Sequence, residues 1–309
     1  MSGITLLDGG MSRELERQGA TLRQPEWSAL ALMNEPAKVR DAHAAFIAAG
    51  SRVVTANSYA VVPFHLGQSV FDERGAELAD RAGRLAREAA DAEPGVLVAG
   101  ALPPACGSYI PEKFDAQAAA QILSVMVAGM QPHVDLWLAE TMSSIEEATT
   151  TAAAVAGSPH PLWVSYTLRD DAAAIAQGTP VLRSREGVAE AVEAAIGAGA
   201  SAILFNCSMP EVMEGAIRIA KTVIGDRDIP VGVYANAFES QDDERAANEA
   251  LSGIRADLDP LNYGNWVEKW IAAGATLVGG CCGINAPHIE RLRDHLLKRH
   301  DLIDAEQGA

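Results

Sequence analysis

Three cysteines in two separate parts of the sequence could bind a metal ion together. Cys281 and Cys282 are adjacent and follow a short strand-like run, residues 276–278, within the sequence Gly-Gly-Cys-Cys-Gly at 279–283. Cys207 follows a second strand-like run, residues 201–206. Neighbouring side chains of a strand point to opposite faces, so adjacent thiols converge only where the backbone kinks, a freedom that glycines supply.

The thiol chemistry predicts zinc. Sulfur is a soft ligand, and three protein ligands leave one coordination position open, as in catalytic rather than structural zinc sites. Free cysteine is also among the most buried residue types, so small apolar packing is the alternative. The third cysteine, also at a strand end, favours the metal, whereas Cys106 has no such position and is expected to pack as a small side chain.

Composition excludes several classes of partner. The 309 residues include 24 Lys and Arg against 41 Asp and Glu, a net charge of −17, so we expect neither nucleic acid nor anionic membrane as a partner. No apolar run reaches the ~20 residues of a membrane helix. The N-terminus lacks a secretory pattern, and four cysteines are too few for a disulfide framework. These features predict a cytoplasmic protein.

Short aliphatic runs alternate with alanine-rich helical patterns along the chain. This alternation predicts one (β/α)8 TIM barrel over residues 1–300 with a short tail, 301–309; a doubly wound open sheet is the less favoured alternative. The predicted strands are 4–8, 52–57, 96–101, 134–140, 162–167, 202–206, 231–236 and 276–278, and the predicted helices are 36–49, 72–91, 115–130, 144–156, 186–198, 210–224, 263–273 and 287–299.

Polar residues fall at most of the predicted strand ends, where barrels of this type build their active sites. We therefore expect one shared site. Asp8 precedes two glycines and could instead form a turn, and the two asparagines could simply bond loop backbone. A buried carboxylate at position 140 would need a positive partner, such as a substrate ammonium. The strand-end residues are Asp8, Asn57, Glu140, Thr167, Cys207, Asn236, Cys281 and Cys282.

The segment 239–260 is a long acidic connection after the seventh predicted strand. Long connections in compact domains are usually functional lids or mobile surface. Because this one follows a strand at the catalytic face, we expect it to close over the site. Protease sensitivity of the segment that bound ligands leave unchanged would count against that hypothesis.

Several motifs resemble those of the homocysteine S-methyltransferases over nearly the whole chain. They lie at residues 7–12, 25–28, 55–59, 138–141, 205–207 and 279–283. The resemblance implies zinc bound by Cys207, Cys281 and Cys282. It also implies that Asp8, Gly9, Gly10 and Glu140 hold the amino-acid part of homocysteine. From their positions at or beside strand ends, Asn57, Thr141 and Asn236 are further candidates for substrate binding.

The resemblance also bears on the methyl donor. Position 141 is a tyrosine in the betaine-dependent branch, where that residue can take the fourth position on zinc. Thr141 therefore indicates a sulfonium donor, S-methylmethionine or S-adenosylmethionine, with methionine as the product. The segment after Pro104 is short, and residues 234–238 lack the proline usually found before the asparagine. Both departures leave the identity of the donor open.

Three other functions remain open. One is a barrel hydrolase or lyase in which zinc activates water and Glu140 acts as the base. Another is a methyltransferase for a different thiol or a selenol. The third is a non-catalytic protein with a closed structural zinc site. All except the last take small-molecule substrates, and the sequence is compatible with a monomer or a homo-oligomer.

Overall fold

Eight parallel strands form one sheet in the computed structural model, which describes residues 3–238, 255–299 and 302. Each strand pairs with its neighbours in chain order from the second to the eighth, and the eighth pairs with the first. The strands are β1 (Thr5–Leu6), β2 (Val53–Thr55), β3 (Leu97–Leu102), β4 (Leu136–Met142), β5 (Leu162–Tyr166), β6 (Ala200–Asn206), β7 (Val231–Ala235) and β8 (Leu277–Gly280).

A single bridge joins the two ends of this sheet. Leu7 pairs with Val53 in parallel, and the backbone N–H of Arg52 donates to the carbonyl of Leu6 at 2.7 Å. The strands therefore close into a ring with helices outside it. The predicted (β/α)8 barrel is confirmed, and the open doubly wound sheet is not the fold.

Helices follow the strands as the sequence predicts, and four short ones were not predicted. Those four, at residues 11–17, 28–34, 63–66 and 172–177, have four to seven residues each, too few for a helical repeat to show in the sequence. The helices are α1 (Met11–Arg17), α2 (Ser28–Asn34), α3 (Pro36–Ala48), α4 (Pro63–Leu66), α5 (Gln68–Ala90), α6 (Ala116–Met130), α7 (Ile145–Val155), α8 (Ala172–Gln177), α9 (Val188–Gly197), α10 (Pro210–Ile224), α11 (Tyr263–Ala273) and α12 (Ala286–Leu296).

Two apolar clusters hold the barrel together. The smaller one fills the ring and takes side chains from most of the strands, among them Leu7, Leu138, Leu204 and Leu277. The larger one lies between the outer faces of the strands and the helices. The interior is thus packed solid below the carboxyl ends of the strands, so the open space for a ligand lies at those ends.

Two sequence hypotheses concern residues that lie largely outside this description. Residues 239–254 of the expected lid and most of the tail 301–309 are not among the described residues, so the lid and the division into barrel and tail stay predictions. Among the described helices, none combines the length and the apolar character needed to cross a bilayer.

Ser144 caps the helix after β4. Its Oγ accepts a hydrogen bond from the backbone N–H of Glu147 at 3.1 Å, which satisfies one of the free donors at the start of α7.

Replacing this cap should lower stability measurably. In Ser144→Ala the N–H of Glu147 loses its acceptor, so we expect the free energy of unfolding in urea to fall by about 1 kcal/mol. Ser124→Ala is the matched control, because Ser124 is exposed within α6 and bonds only a carbonyl of its own helix. Equal stability of the two variants would contradict the assigned capping role.

Candidate active site

A cleft of about 1000 Å³, part of it open to solvent, lies at the carboxyl ends of the strands. Its walls come from the carboxyl ends of seven of the eight strands and the segments that follow them, together with residues of α1 and of the start of α2. The lining residues are Asp8, Gly9, Gly10, Met11, Ser12, Arg13, Glu16, Trp27, Ser28, Thr55, Ala56, Asn57, Tyr59, Ser108, Tyr109, Glu140, Thr141, Cys207, Tyr234, Phe238, Gly280, Cys281, Cys282 and Gly283.

The three predicted cysteines converge in this cleft. Their Sγ atoms all lie within 4.8 Å of one another, and those of Cys207 and Cys282 are 3.7 Å apart. Two thiolates on one tetrahedral zinc, each ~2.3 Å from it, would lie ~3.8 Å apart. Spacing and softness of the three ligands therefore fit a thiolate-bound metal ion.

A tight turn brings the adjacent cysteines together. The backbone N–H of Ile284 donates to the carbonyl of Cys281 at 3.0 Å, and Gly283 within the turn has φ +90°. The sequence analysis expected the glycines on both sides of the cysteines to supply the kink. Gly283 has the positive φ that this requires, whereas Gly279 and Gly280 do not, so the prediction is corrected in part. A Cβ on Gly279 would lie 2.6 Å from the Cβ of Leu7, so that glycine is needed for close packing rather than for the kink.

The three thiols differ in their affinity for a proton. Hydrogen bonds from the Cys281 and Cys282 thiols lower the pKa of Cys207 well below its usual range, and the Tyr109 hydroxyl and the Arg183 charge act in the same direction. The contacts with Cys207 raise the pKa of the other two thiols. Of the three thiols, Cys207 therefore has the lowest affinity for a proton.

Asp8 lies in the cleft and also joins β1 to β2. One carboxylate oxygen accepts from the backbone N–H of Thr55 at 2.7 Å, and the other accepts from the Thr55 hydroxyl at 3.1 Å. Burial nevertheless raises the pKa of Asp8 to about 7, against the lowering effect of those hydrogen bonds. The predicted strand-end carboxylate is therefore buried and faces the cleft, with a high affinity for a proton or another cation.

Glu140, at the end of β4, has a similar environment. Burial raises its pKa to about 8, and the negative charges of Asp8 and Cys207 add to that effect. No Lys, Arg or His ion pair of Glu140 occurs among the described residues. A ligand ammonium would supply the positive partner that the sequence indicated.

The two asparagines bond the backbone, which was the alternative considered for them. Asn57 lines the cleft and donates through Nδ2 to the carbonyl of Ser28 at 3.2 Å. The Oδ1 of Asn236 accepts from the N–H of Phe238 at 3.2 Å, and Asn236 is not among the described residues that line the cleft. Thr167 is buried below the cleft, where its hydroxyl lies 3.1 Å from that of Ser208.

Asn206 holds Thr141 in place, a role that the sequence did not indicate. Its Oδ1 accepts from the N–H of Thr141 at 3.2 Å, and its Nδ2 donates to the Thr141 Oγ1 at 2.8 Å. These bonds fix Thr141 at φ +63°, a conformation that is unusual for a β-branched residue.

Backbone strain concentrates around the cleft. Five described non-glycine residues have positive φ, and four of them line the cleft: Trp27, Tyr109, Thr141 and Cys207. Such conformations persist where the surrounding structure enforces them, and they cluster at ligand sites. Tyr109 had no role in the sequence analysis, although its segment, 106–111, was noted as a departure from the family pattern.

Fold and site together define a (β/α)8 barrel protein in which three converging thiols and two buried carboxyl groups line one cleft. A family model described as homocysteine S-methyltransferase matches residues 5–296. The chain therefore belongs to the homocysteine S-methyltransferase family, and the resemblance noted in the sequence is confirmed.

Individual relatives are distant but match over nearly their full length. Homocysteine S-methyltransferase of Escherichia coli is 28% identical over 94% of this chain and 94% of its own. Selenocysteine Se-methyltransferase of Brassica oleracea is 24% identical over 99% of this chain and 93% of its own. The solved metallated form of the homocysteine methyltransferase MmuM from Escherichia coli superposes with TM-score 0.76 at 25% identity, covering 94% of this chain and 96% of that one.

Gly10 keeps the first loop against the cysteine turn. A Cβ there would lie 2.5 Å from the carbonyl oxygen of Cys281, and Gly10 has an ordinary φ of −71°, so the constraint is steric. In Gly10→Ala the cysteine turn must shift. We expect the free energy of unfolding to fall by about 1–3 kcal/mol and metal titration to show weaker binding.

Gly197→Ala is the control for this substitution. A Cβ at Gly197 meets nothing within 4 Å at the end of α9, so its stability and metal binding should match or exceed those of the parent. Unaltered metal binding in Gly10→Ala would show that the cysteine turn does not depend on this contact.

Proposed function

We propose that the protein is a zinc-dependent methyltransferase that moves a methyl group from a sulfonium donor to homocysteine and forms methionine. The observation that carries the proposal is the placement of three converging thiols and two buried carboxyl groups in one cleft. A thiol amino acid has a sulfur for the first group and an ammonium for the second.

Asp8 and Glu140 would bind the ammonium of homocysteine. Both are buried, and their pKa values are raised to about 7 and about 8, so a cation that replaces their protons relieves the cost of ionising them together. The backbone at Gly9 and Gly10 lines the same part of the cleft. This arrangement would fix the acceptor by its amino-acid end.

Cys207, Cys281 and Cys282 would hold zinc with one position left for the substrate thiol. When bound, zinc keeps such a thiol deprotonated at neutral pH. The substrate thiolate then attacks the methyl carbon of the sulfonium in line. The new C–S bond forms as the old one breaks, and the donor leaves as a neutral thioether. This step needs no general base, so the main work of the protein is to orient two substrates.

Aromatic rings beside the cysteines favour a cationic donor. Trp27 and Tyr59 pack edge to face with centroids 6.3 Å apart, and both line the cleft with Tyr109. The faces of such rings attract cations. The same chemistry would serve a sulfonium or a quaternary ammonium, so these rings favour positive charge rather than one donor.

A charged pair in the cleft wall favours a donor with its own amino-acid group. Arg13 Nη1 and Glu16 Oε2 lie 2.7 Å apart, and both side chains remain partly exposed. They present one positive and one negative group to the cleft, complementary to a carboxylate and an ammonium. S-methylmethionine and S-adenosylmethionine carry both groups, whereas betaine has no ammonium N–H to donate.

A selenol acceptor is the second candidate. It is favoured by the similarity to the Brassica oleracea relative named selenocysteine Se-methyltransferase. A selenol would use the same metal and the same carboxyl groups. We further propose a cytoplasmic location, because thiolate ligands persist in a reducing compartment.

The direct test is methyl transfer with zinc-loaded protein. We expect methionine from homocysteine with S-methylmethionine or S-adenosylmethionine, and little with betaine. Cys281→Ala/Cys282→Ala should lose both zinc and turnover, because two of three ligands are gone. Cys106→Ala is the control, since Cys106 lies outside the cluster and should leave both unchanged. Zinc-loaded protein that uses no donor would refute the proposal, and a faster reaction with selenocysteine would favour the selenol.

The raised pKa values of Asp8 and Glu140 predict a pH-dependent affinity for amino acids. Below pH ~7 both carboxyl groups hold protons that an ammonium must displace, so affinity should rise with pH between 6 and 8, by up to about tenfold per unit for each proton released. Methionine is the suitable probe because it has no thiol proton. Calorimetry in buffers of different ionisation heat counts the protons released.

Two comparisons isolate the carboxyl groups. Glu140→Gln cannot release the Glu140 proton and should bind methionine with a shallower pH dependence. The deaminated analogue 4-methylthiobutanoate has no ammonium and should show no rise. A rise of equal slope with the analogue would contradict the assignment of these residues.

A further inference from the structure

Tyr109 contacts the cysteine cluster from a loop that follows β3. Its hydroxyl donates to the Sγ of Cys207 at 3.0 Å. This hydrogen bond joins the cysteine cluster to a side chain from another part of the barrel. The other short Sγ contacts of Cys207 are with the cysteines themselves.

The conformation of Tyr109 is enforced rather than relaxed. The residue has φ +66°, and Gly107 two positions earlier has φ +122°. The Arg183 guanidinium carbon lies over the ring, 4.7 Å from its centroid. A planar cation over one face of the ring limits its rotation, so the hydroxyl remains directed at Cys207.

A buried ion pair connects both ends of this hydrogen bond. Arg183 Nη2 lies 2.8 Å from Asp170 Oδ1, and both side chains are largely buried. The other Asp170 oxygen accepts from the backbone N–H of Met209 at 3.0 Å, two residues after Cys207. Through its arginine the pair holds the tyrosine ring, and through its carboxylate it holds the segment that presents the cysteine.

We propose that Tyr109 is a positioning residue for the metal ligand Cys207, and that the Asp170–Arg183 pair holds its ring in register with that thiolate. Three thiolates and one divalent cation leave a net negative charge in a largely buried site. A hydrogen bond to one thiolate offsets part of that charge and fixes the direction of the sulfur lone pairs. The proposal rests on the metal-binding part of the proposed function and not on the methyl donor or acceptor.

Tyr109→Phe tests the hydroxyl and keeps the ring on which Arg183 stacks. Zinc affinity, measured by competition with a chelating dye, should fall about 10- to 100-fold, as for other residues that orient metal ligands. In the cobalt-substituted protein the sulfur-to-metal charge-transfer band should move to lower energy, because a thiolate without its hydrogen bond gives up an electron more easily. Both readouts need no substrate and no turnover.

Tyr166→Phe is the matched control. Tyr166 is buried and donates one hydrogen bond, to the carbonyl of Ala191 at 2.9 Å, away from the cysteines. It should lose stability without a change in zinc affinity or in the cobalt spectrum. Equal zinc affinity and an unmoved band in Tyr109→Phe would overturn the proposal, even if the parent protein transfers methyl groups.

Arg183→Lys tests the part of the proposal that concerns the ion pair. Lysine keeps the charge near Asp170 but not the planar stack, so zinc affinity should fall, by less than in Tyr109→Phe. In the double variant the loss should not exceed that of Tyr109→Phe alone, because both changes break one hydrogen bond. Losses that simply add would show that Arg183 does not act through Tyr109. A parent protein that binds zinc but uses no donor would instead refute the proposed reaction alone.

Discussion

The excess of negative groups in one buried cleft is the constraint on which the rest of the site depends. Three thiols and two carboxyl groups surround the same space, and burial alone would keep most of them protonated. Cations brought by ligands can ionise them: a metal for the sulfurs and an ammonium for the carboxyl groups. Each cation lowers the cost of ionisation for its neighbours, so the two ligands should favour each other's binding.

The barrel meets this constraint with rigid supports behind each functional side chain. Asn206 fixes Thr141, the turn at Gly283 fixes the adjacent cysteines, and the Arg183–Asp170 pair fixes the loop that contacts Cys207. The positive φ values in the cleft wall show that these supports overcome local backbone preference. Strain of this kind is stable only on a scaffold as closely packed as the two apolar clusters.

The barrel, its eight strands and the convergence of the three cysteines could be predicted from the sequence, because strand patterns and strand-end positions are local signals. It was not sufficient for Tyr109 or Arg183, which lie in loops and act through contacts between distant segments. The short helices α1 and α2 were missed for a similar reason, since one or two turns are stabilised by packing and leave no repeat. Asn206 directly precedes the predicted metal ligand Cys207. Its side chain, however, bonds Thr141 on a distant strand, and that contact depends on the twist of the barrel rather than on the local sequence.

Asp8 has a further consequence for how this protein can change over evolutionary time. The carboxylate that faces the cleft also accepts the hydrogen bonds of Thr55 across the gap between the first and second strands. If Asp8 binds the substrate as proposed, one side chain serves both substrate recognition and ring closure. A lineage that abandoned amino-acid substrates would still need an acceptor at this position, so an aspartate here would outlast the activity that it serves. In the part of the chain that the structure describes, the side chains of the three cysteines join no two strands in this way, so their loss would be the earlier mark of a changed function.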